Sequence, residues 1–236
     1  MIEGLSCSIN TQNQKKYHFR GDRDMKLNTV ICGDCLEVMR GMEDNSVDLV
    51  LTDPPYGIGA DKGVGGFGSS QHTAKKYKDN WDNIRPSQEV FNEILRLSKN
   101  AIIFGGNFFT DLLSVNGHWI VWDKKGEIKF DNPFGDAELA WTNIDKKSVK
   151  KYTVIQQGFV SKEKIRYHPT QKPVELFAKI LRDYSKDFDT ILDPFLGSGT
   201  TCVAAKELGR RYIGIEISQK YVDIANKRLS QGVLPF

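Results

Sequence analysis

Short apolar blocks alternate with longer amphipathic ones along most of this chain. Thr29 to Cys32, Val47 to Leu51, Ala101 to Phe104, His118 to Trp122, Ala137 to Trp141, Thr190 to Leu192 and Tyr212 to Ile217 have strand length, and several run into glycine or proline. Leu36 to Arg40 behind the cap Asp34, Pro86 to Lys99, Asn107 to Leu113, Pro173 to Tyr184, Thr200 to Leu208 and Ser218 to Leu229 have helical spacing or helix-start signals. Strands that alternate with helices of about ten residues predict βαβ units and a largely parallel sheet.

The rhythm lapses in three places. Residues 1–25 form a polar arm rich in Asn, Gln, Lys and Asp, to which no function attaches. The glycine-rich stretch 57–80 reads as a long mobile loop, a lid beginning at a candidate site, with Lys75 and Lys76 near its far end placed to touch phosphates. Residues 143–166 carry Lys146, Lys147, Lys150, Lys151, Lys162, Lys164 and Arg166 against few acids, with Tyr152 and Phe159 interleaved. Such a stretch suits a nucleic-acid surface, and equally a solvated lysine-rich face. The organisation expected is therefore an arm, 1–25, and one domain, 26–236, with a lid and a basic insertion.

Composition narrows the class without naming a function. The 236 residues are 39% hydrophobic and 27% charged, ordinary for a globular protein large enough to hold one sizeable core. No run of about 18 apolar residues exists to span a bilayer, and the polar first 25 residues do not read as a secretory signal, so a cytoplasmic location is expected. Cys32-x-x-Cys35 lacks a second pair at metal-site spacing, which predicts reduced thiols and no metal. A net charge of +3 is too small to demonstrate a polyanionic partner.

Two stretches carry candidate chemistry. Thr52-Asp53-Pro54-Pro55-Tyr56 ends a buried strand at two residues that have no N–H to donate, leaving a stiff corner with a carboxylate, bare carbonyls and an aromatic ring. Oxygens there could accept from an exocyclic amine while Tyr56 stacks on the ring that bears it, as a nucleobase would allow; a plain stiff turn capped by Asp53 is the bland alternative. The second stretch is a strand, a turn with Gly197 and Gly199, a helix, and a strand ending near Glu216, an arrangement that holds a nucleoside with the acid on ribose hydroxyls. Gly197-x-Gly199 lacks the third glycine of a dinucleotide fingerprint, and Asp193 would repel a pyrophosphate. S-adenosylmethionine fits better, its amino group offered to Asp193 and its adenine amine to Asp34.

Asp53-Pro54-Pro55-Tyr56, followed by His168-Pro169-Thr170-Gln171-Lys172-Pro173 and Asp193-Pro194-Phe195-Leu196-Gly197-Ser198-Gly199-Thr200-Thr201, with Gly33-Asp34-Cys35 upstream, closely resembles the β-group of DNA amino-methyltransferases. The resemblance runs from about Thr29 to Leu229. It implies the class I methyltransferase fold, a Rossmann-like seven-stranded, mostly parallel sheet with one antiparallel strand, circularly permuted so that the catalytic half comes first. It also implies methyl transfer from S-adenosylmethionine to an exocyclic base amine of DNA, with Asp53, Pro54, Pro55 and Tyr56 catalytic. The cofactor is then expected against Asp34, Cys35, Thr170, Lys172, Asp193, Phe195, Gly197, Ser198, Gly199, Thr200 and Glu216. An aspartate opening the motif points to adenine N6, in an enzyme of the restriction–modification kind. N4 of cytosine, an RNA amine, or a non-catalytic DNA-binding subunit are the alternatives. The resemblance places target recognition in 143–166, a short region, so that either a short site is recognised or the lid, a second subunit or a separate protein helps; a homodimer acting on double-stranded DNA is expected.

Overall fold

The structure, a computed structural model, describes residues 26–58, 85–127, 135–155, 167 and 171–231. The arm, nearly all of the lid stretch and the second half of the basic insertion lie outside the described residues.

Eight strands form one sheet: β1 (Thr29–Cys32), β2 (Val47–Thr52), β3 (Ser98–Phe104), β4 (Trp119–Asp123), β5 (Ala137–Thr142), β6 (Lys150–Thr153), β7 (Thr190–Asp193) and β8 (Arg211–Glu216). Their order is β1-β8-β7-β2-β3-β5-β4-β6. Every pairing is parallel except those of β5 with β3 and with β4, so among the described strands β5 alone is reversed. This is the class I methyltransferase sheet with one strand more than the seven expected. The addition is β6, an edge strand of sequence Lys-Lys-Tyr-Thr inside the basic insertion, of which only Tyr152 is buried.

The alternating strand residues feed two apolar layers. Leu49, Leu51, Ile102 and Phe104 pack on one face with α3 (Val174–Tyr184), α4 (Thr200–Glu207) and residues of α5 (Gln219–Ser230). Val47, Val50, Ala101 and Ile103 pack on the other with α1 (Cys35–Arg40) and α2 (Gln88–Leu97). Asp34 caps α1 as expected, its Oδ1 accepting from the amides of Leu36 and Glu37.

Two boundaries differ from the expectation. The helix α2 passes straight into β3 at Leu97–Ser98, where Ser98 Oγ donates back to the Ile94 carbonyl. The helix expected over Asn107 to Leu113 is instead a 3₁₀ turn, Gly106–Phe108, because Gly105 turns left-handed at φ +69° and starts the segment abruptly.

What positions the site is the pairing of β2 with β7, Leu49 beside Ile191 and Val50 beside Leu192. Two motifs far apart in the chain thus end on neighbouring strands, the place in a doubly wound sheet where ligands bind beyond the carboxyl ends.

Candidate active site

At the end of β2 the Asp53 carboxylate is held from two sides. Tyr56 donates its hydroxyl to Oδ1 at 2.6 Å, and Lys172 donates Nζ to Oδ2 at 2.5 Å. Lys172 Nζ also lies 3.4 Å from the Tyr56 hydroxyl and 3.1 Å from Oε2 of Glu138 on β5. The other oxygen of Glu138 pairs with Lys124 at 2.5 Å. Four charges of alternating sign therefore run from the corner across to the exit of β4. Burial raises the Asp53 carboxyl above its ordinary range, Lys172 opposing that rise and Glu138 adding to it. Burial works against the Lys172 ammonium, but Asp53, Tyr56 and Glu138 outweigh it and keep its pKa well above normal.

The Tyr56 ring rests on an aromatic bed. Phe108 stacks on it with centroids 4.9 Å apart and planes 20° apart, and Phe109 meets it edge-on. Arg85, the first residue described after the lid stretch, donates to the Phe108 carbonyl and pairs with Asp111. Gly57, where that stretch begins, lies against the Arg85 backbone beside the corner.

Beneath the corner, Asp193 joins the two motifs. Its Oδ1 accepts from Thr52 Oγ1 at 2.7 Å and from the Phe195 amide at 3.0 Å, and its Oδ2 accepts from Thr201 Oγ1 at 2.5 Å. The side chain is buried, and that burial pushes its pKa up to about 6, with the hydroxyls of Thr201 and Thr52 pulling the other way. The Asp193 carboxylate, expected to receive a ligand amino group, is enclosed and accepts from Thr52, Thr201 and Phe195.

The glycine turn lies between β7 and α4. Gly197 has φ +54°, and a Cβ there would meet nothing within 4 Å, whereas a Cβ at Gly199 would come within 2.9 Å of Ala225. Gly199 thus permits close helix packing, and Gly197 faces open space. Glu216 closes the turn from β8: Oε2 accepts from the Gly197 amide and Oε1 from the Ser218 amide, both at 2.8 Å. Beside it, Gly33 donates its amide to the Glu216 carbonyl, which brings Asp34 and Cys35 to the same strand ends. Burial, with Asp34 nearby, pushes the Cys35 thiol up to about 12, so it is a neutral packing group. Phe195 packs against the apolar layer.

Ser198 and Thr200 are buried rather than presented to a ligand: Ser198 donates to Gln171 Oε1 and Thr200 to the Lys172 carbonyl. Arg228 on α5 braces the turn by donating to the Ser198 carbonyl at 2.7 Å. Lys172, expected with the cofactor residues, instead sends its ammonium into the Asp53 corner, and only its carbonyl reaches the glycine-turn side through Thr200. Thr170 lies outside the described residues. Thr52 and Thr201 stand inside the quoted motifs without a role assigned to them, whereas Glu138 and Gly105 belong to no motif recognised in the chain, and only the fold brings them here.

Of the basic residues, Lys75, Lys76, Lys162, Lys164 and Arg166 lie outside the described residues. Lys150 pairs with Asp183, Lys151 pairs with Asp123, and Lys146 sits over the Tyr184 ring. Lys147 has no ion pair among the described residues. The basic stretch is therefore partly self-neutralised, more so than its composition suggests.

Residues 115–227 match the family model described as DNA methylase, of the N6/N4 methyltransferase type. The type II methyltransferase M.HinfI of Haemophilus influenzae is 28% identical to this chain, over 87% of this chain and 69% of the relative. Two solved structures share the fold of this chain. One is the M1.HpyAVI complex with S-adenosylmethionine, at a TM-score of 0.57 and 22% identity, covering 86% of this chain and 99% of that one. The other is the cytosine-N4-specific PvuII DNA methyltransferase, at 0.58 and 16%, covering 87% of each chain.

Proposed function

We propose that this protein is a DNA methylase that transfers the methyl group of S-adenosylmethionine to the N6 amine of an adenine flipped out of DNA. The observation that carries the reading is the Asp53 carboxylate, locked between Tyr56 and Lys172 at a strand end that adjoins the glycine turn and Glu216. The residues present fit the cofactor at its ribose end. Glu216 uses one lone pair of each oxygen on an amide and keeps others for two hydroxyls, and Gly197 leaves room for close approach. When bound, the cofactor supplies an electrophilic methyl on a sulfonium.

An amine conjugated to a purine ring is a poor nucleophile, because its lone pair is delocalised into the ring. Asp53 and the Pro54 carbonyl accept its two hydrogens and draw the nitrogen toward tetrahedral geometry, where the lone pair can attack. Two of the roughly four lone-pair positions on the Asp53 carboxylate are taken by Tyr56 and Lys172, which leaves room for the amine. Flipping costs about a few kcal/mol, and stacking on Tyr56 returns about 1–3 kcal/mol of it. Phe108 supports the Tyr56 ring by stacking on it.

The test is incubation with tritiated S-adenosylmethionine and duplex DNA, single-stranded DNA or RNA, followed by digestion and identification of the methylated nucleoside. N6-methyladenine from DNA is expected. N4-methylcytosine would move the reading to the cytosine enzymes, whose fold PvuII methyltransferase represents, and label in RNA alone would overturn it. Asp53→Ala should lower turnover by about 10²–10⁴, as loss of a proton-accepting group in the transition state does, with calorimetric cofactor binding unchanged. Near wild-type methylation by that variant would refute the role given to the corner.

A further inference from the structure

Lys172 and Glu138 are connected in a way that the bare reading of the corner does not use. Only 5% of the Lys172 side chain is exposed, yet it carries a full charge to a point 2.5 Å from Asp53. Its counterweight is Glu138 from the reversed strand β5. Glu138 Oε2 is shielded from solvent and takes no aligned hydrogen bond among the described residues, while lying 3.1 Å from Lys172 Nζ. Its partner oxygen is tied to Lys124, itself over the Trp122 ring. A charge this buried is retained only where counter-charges compensate its desolvation.

We propose that Lys172 and Glu138 form a positioning pair for Asp53: Glu138 braces the ammonium from the far side, and Lys172 stands as the fixed counter-charge of the carboxylate that receives the target amine. The groups facing Asp53 are Lys172 and Tyr56 in direct contact, Glu138 and Lys124 beyond the lysine, and Asp193 below through Thr52. Of these, Lys172 alone brings a positive charge to the carboxylate itself. Its ammonium keeps Asp53 an acceptor, and the short contact on Oδ2 leaves the carboxylate no freedom to rotate away from the amine.

This inference rests on the proposed role of Asp53, and its test separates the two. The pH dependence of single-turnover methylation is compared in the wild-type protein, Lys172→Met, Lys172→Arg, Glu138→Gln and Asp53→Asn, with cofactor binding followed by calorimetry. Lys172→Met should move the acid limb upward by about 1–3 pH units, the range over which a neighbouring opposite charge shifts an aspartate, with activity recovering toward alkaline pH. Lys172→Arg should bring the limb back toward its wild-type position. Glu138→Gln keeps an acceptor for the ammonium but removes a negative charge that raises Asp53, so its limb should move the other way, to lower pH. If Lys172→Met does not fold, the Glu138→Gln and Lys172→Arg profiles decide the matter alone. Limbs that stay in place, or a Lys172→Met protein that binds cofactor but stays inactive at every pH, overturn the inference. Full activity in Asp53→Asn would instead overturn the proposed function.

Discussion

At Gly105 the backbone turns through φ +69°, and a Cβ built there would lie 2.1 Å from Cε1 of Tyr56. Glycine is the residue that takes this conformation without strain and at the same time leaves the aromatic ring its place. Gly105→Ala should therefore cost about 1–3 kcal/mol in backbone strain, plus whatever is needed to push the ring off Phe108. Thermal denaturation reads the first effect and kcat/KM for DNA the second. Adding Tyr56→Ala should restore part of the stability and none of the activity, because the clash is gone and so is the stacking surface; independent losses in the double variant would show that Gly105 and Tyr56 do not share a contact. Asp53, Tyr56, Gly197 and Glu216 were legible from the chain because each has a local reason for its position: a strand end, a glycine turn, an acid at a set distance. Lys172 was not. It stands beside Thr170 and Pro173 in a local motif, and only the fold across 119 residues delivers its ammonium to Asp53. Glu138 carries no local signal at all, being one polar residue in an otherwise ordinary strand.

Between elements, the most consequential contact is the one that Asp193 makes with β2 and α4. Burial raises its pKa to about 6, above the ordinary 3.8 of an aspartate. The native state therefore binds this proton more tightly than the unfolded chain, and stability falls as pH rises between those two values. The whole span is worth about 3 kcal/mol at about 1.4 kcal/mol per unit. An Asp193→Asn protein can still accept from Thr52 and from the Phe195 amide, while Thr201 turns its hydroxyl to accept. Its denaturant-derived stability should accordingly gain on wild type as pH rises from 4 to 7 and level off above; a constant difference would show that Asp193 does not titrate there. Regular elements were readable where burial imposes a period, as in β2, β3 and α3. The strand β6 was not, because three of its four residues are exposed and a run of Lys-Lys-Tyr-Thr has no apolar alternation to read. The 3₁₀ turn after β3 was hidden for a different reason. Phe108, Phe109, Leu112 and Leu113 together have helical spacing, and the two phenylalanines are used to support Tyr56 and fill the layer against Phe91.

Over the whole molecule, the strands parallel to β2 send their carboxyl ends to one side, so Asp53, Gly105, Asp123, Thr153, Asp193 and Glu216 all face the same way. A duplex delivering a base to Asp53 must lie across that side, and β6 extends it at the sheet edge. The lysines there are not equivalent contributors. Four independent phosphate contacts would be worth about 3.6 units of salt slope at about 0.9 each. Lys150 and Lys151, however, already neutralise Asp183 and Asp123, and Lys146 is engaged by Tyr184. Replacing Lys146, Lys147, Lys150 and Lys151 together by glutamine should flatten the dependence of log K on log salt by about one to two units, measured by fluorescence anisotropy on a duplex at several salt concentrations. A change near the full value would mean that DNA breaks the intramolecular ion pairs and takes the lysines for itself. No change would place the path of the duplex away from β6, over the side where Gly57 and Arg85 lie together.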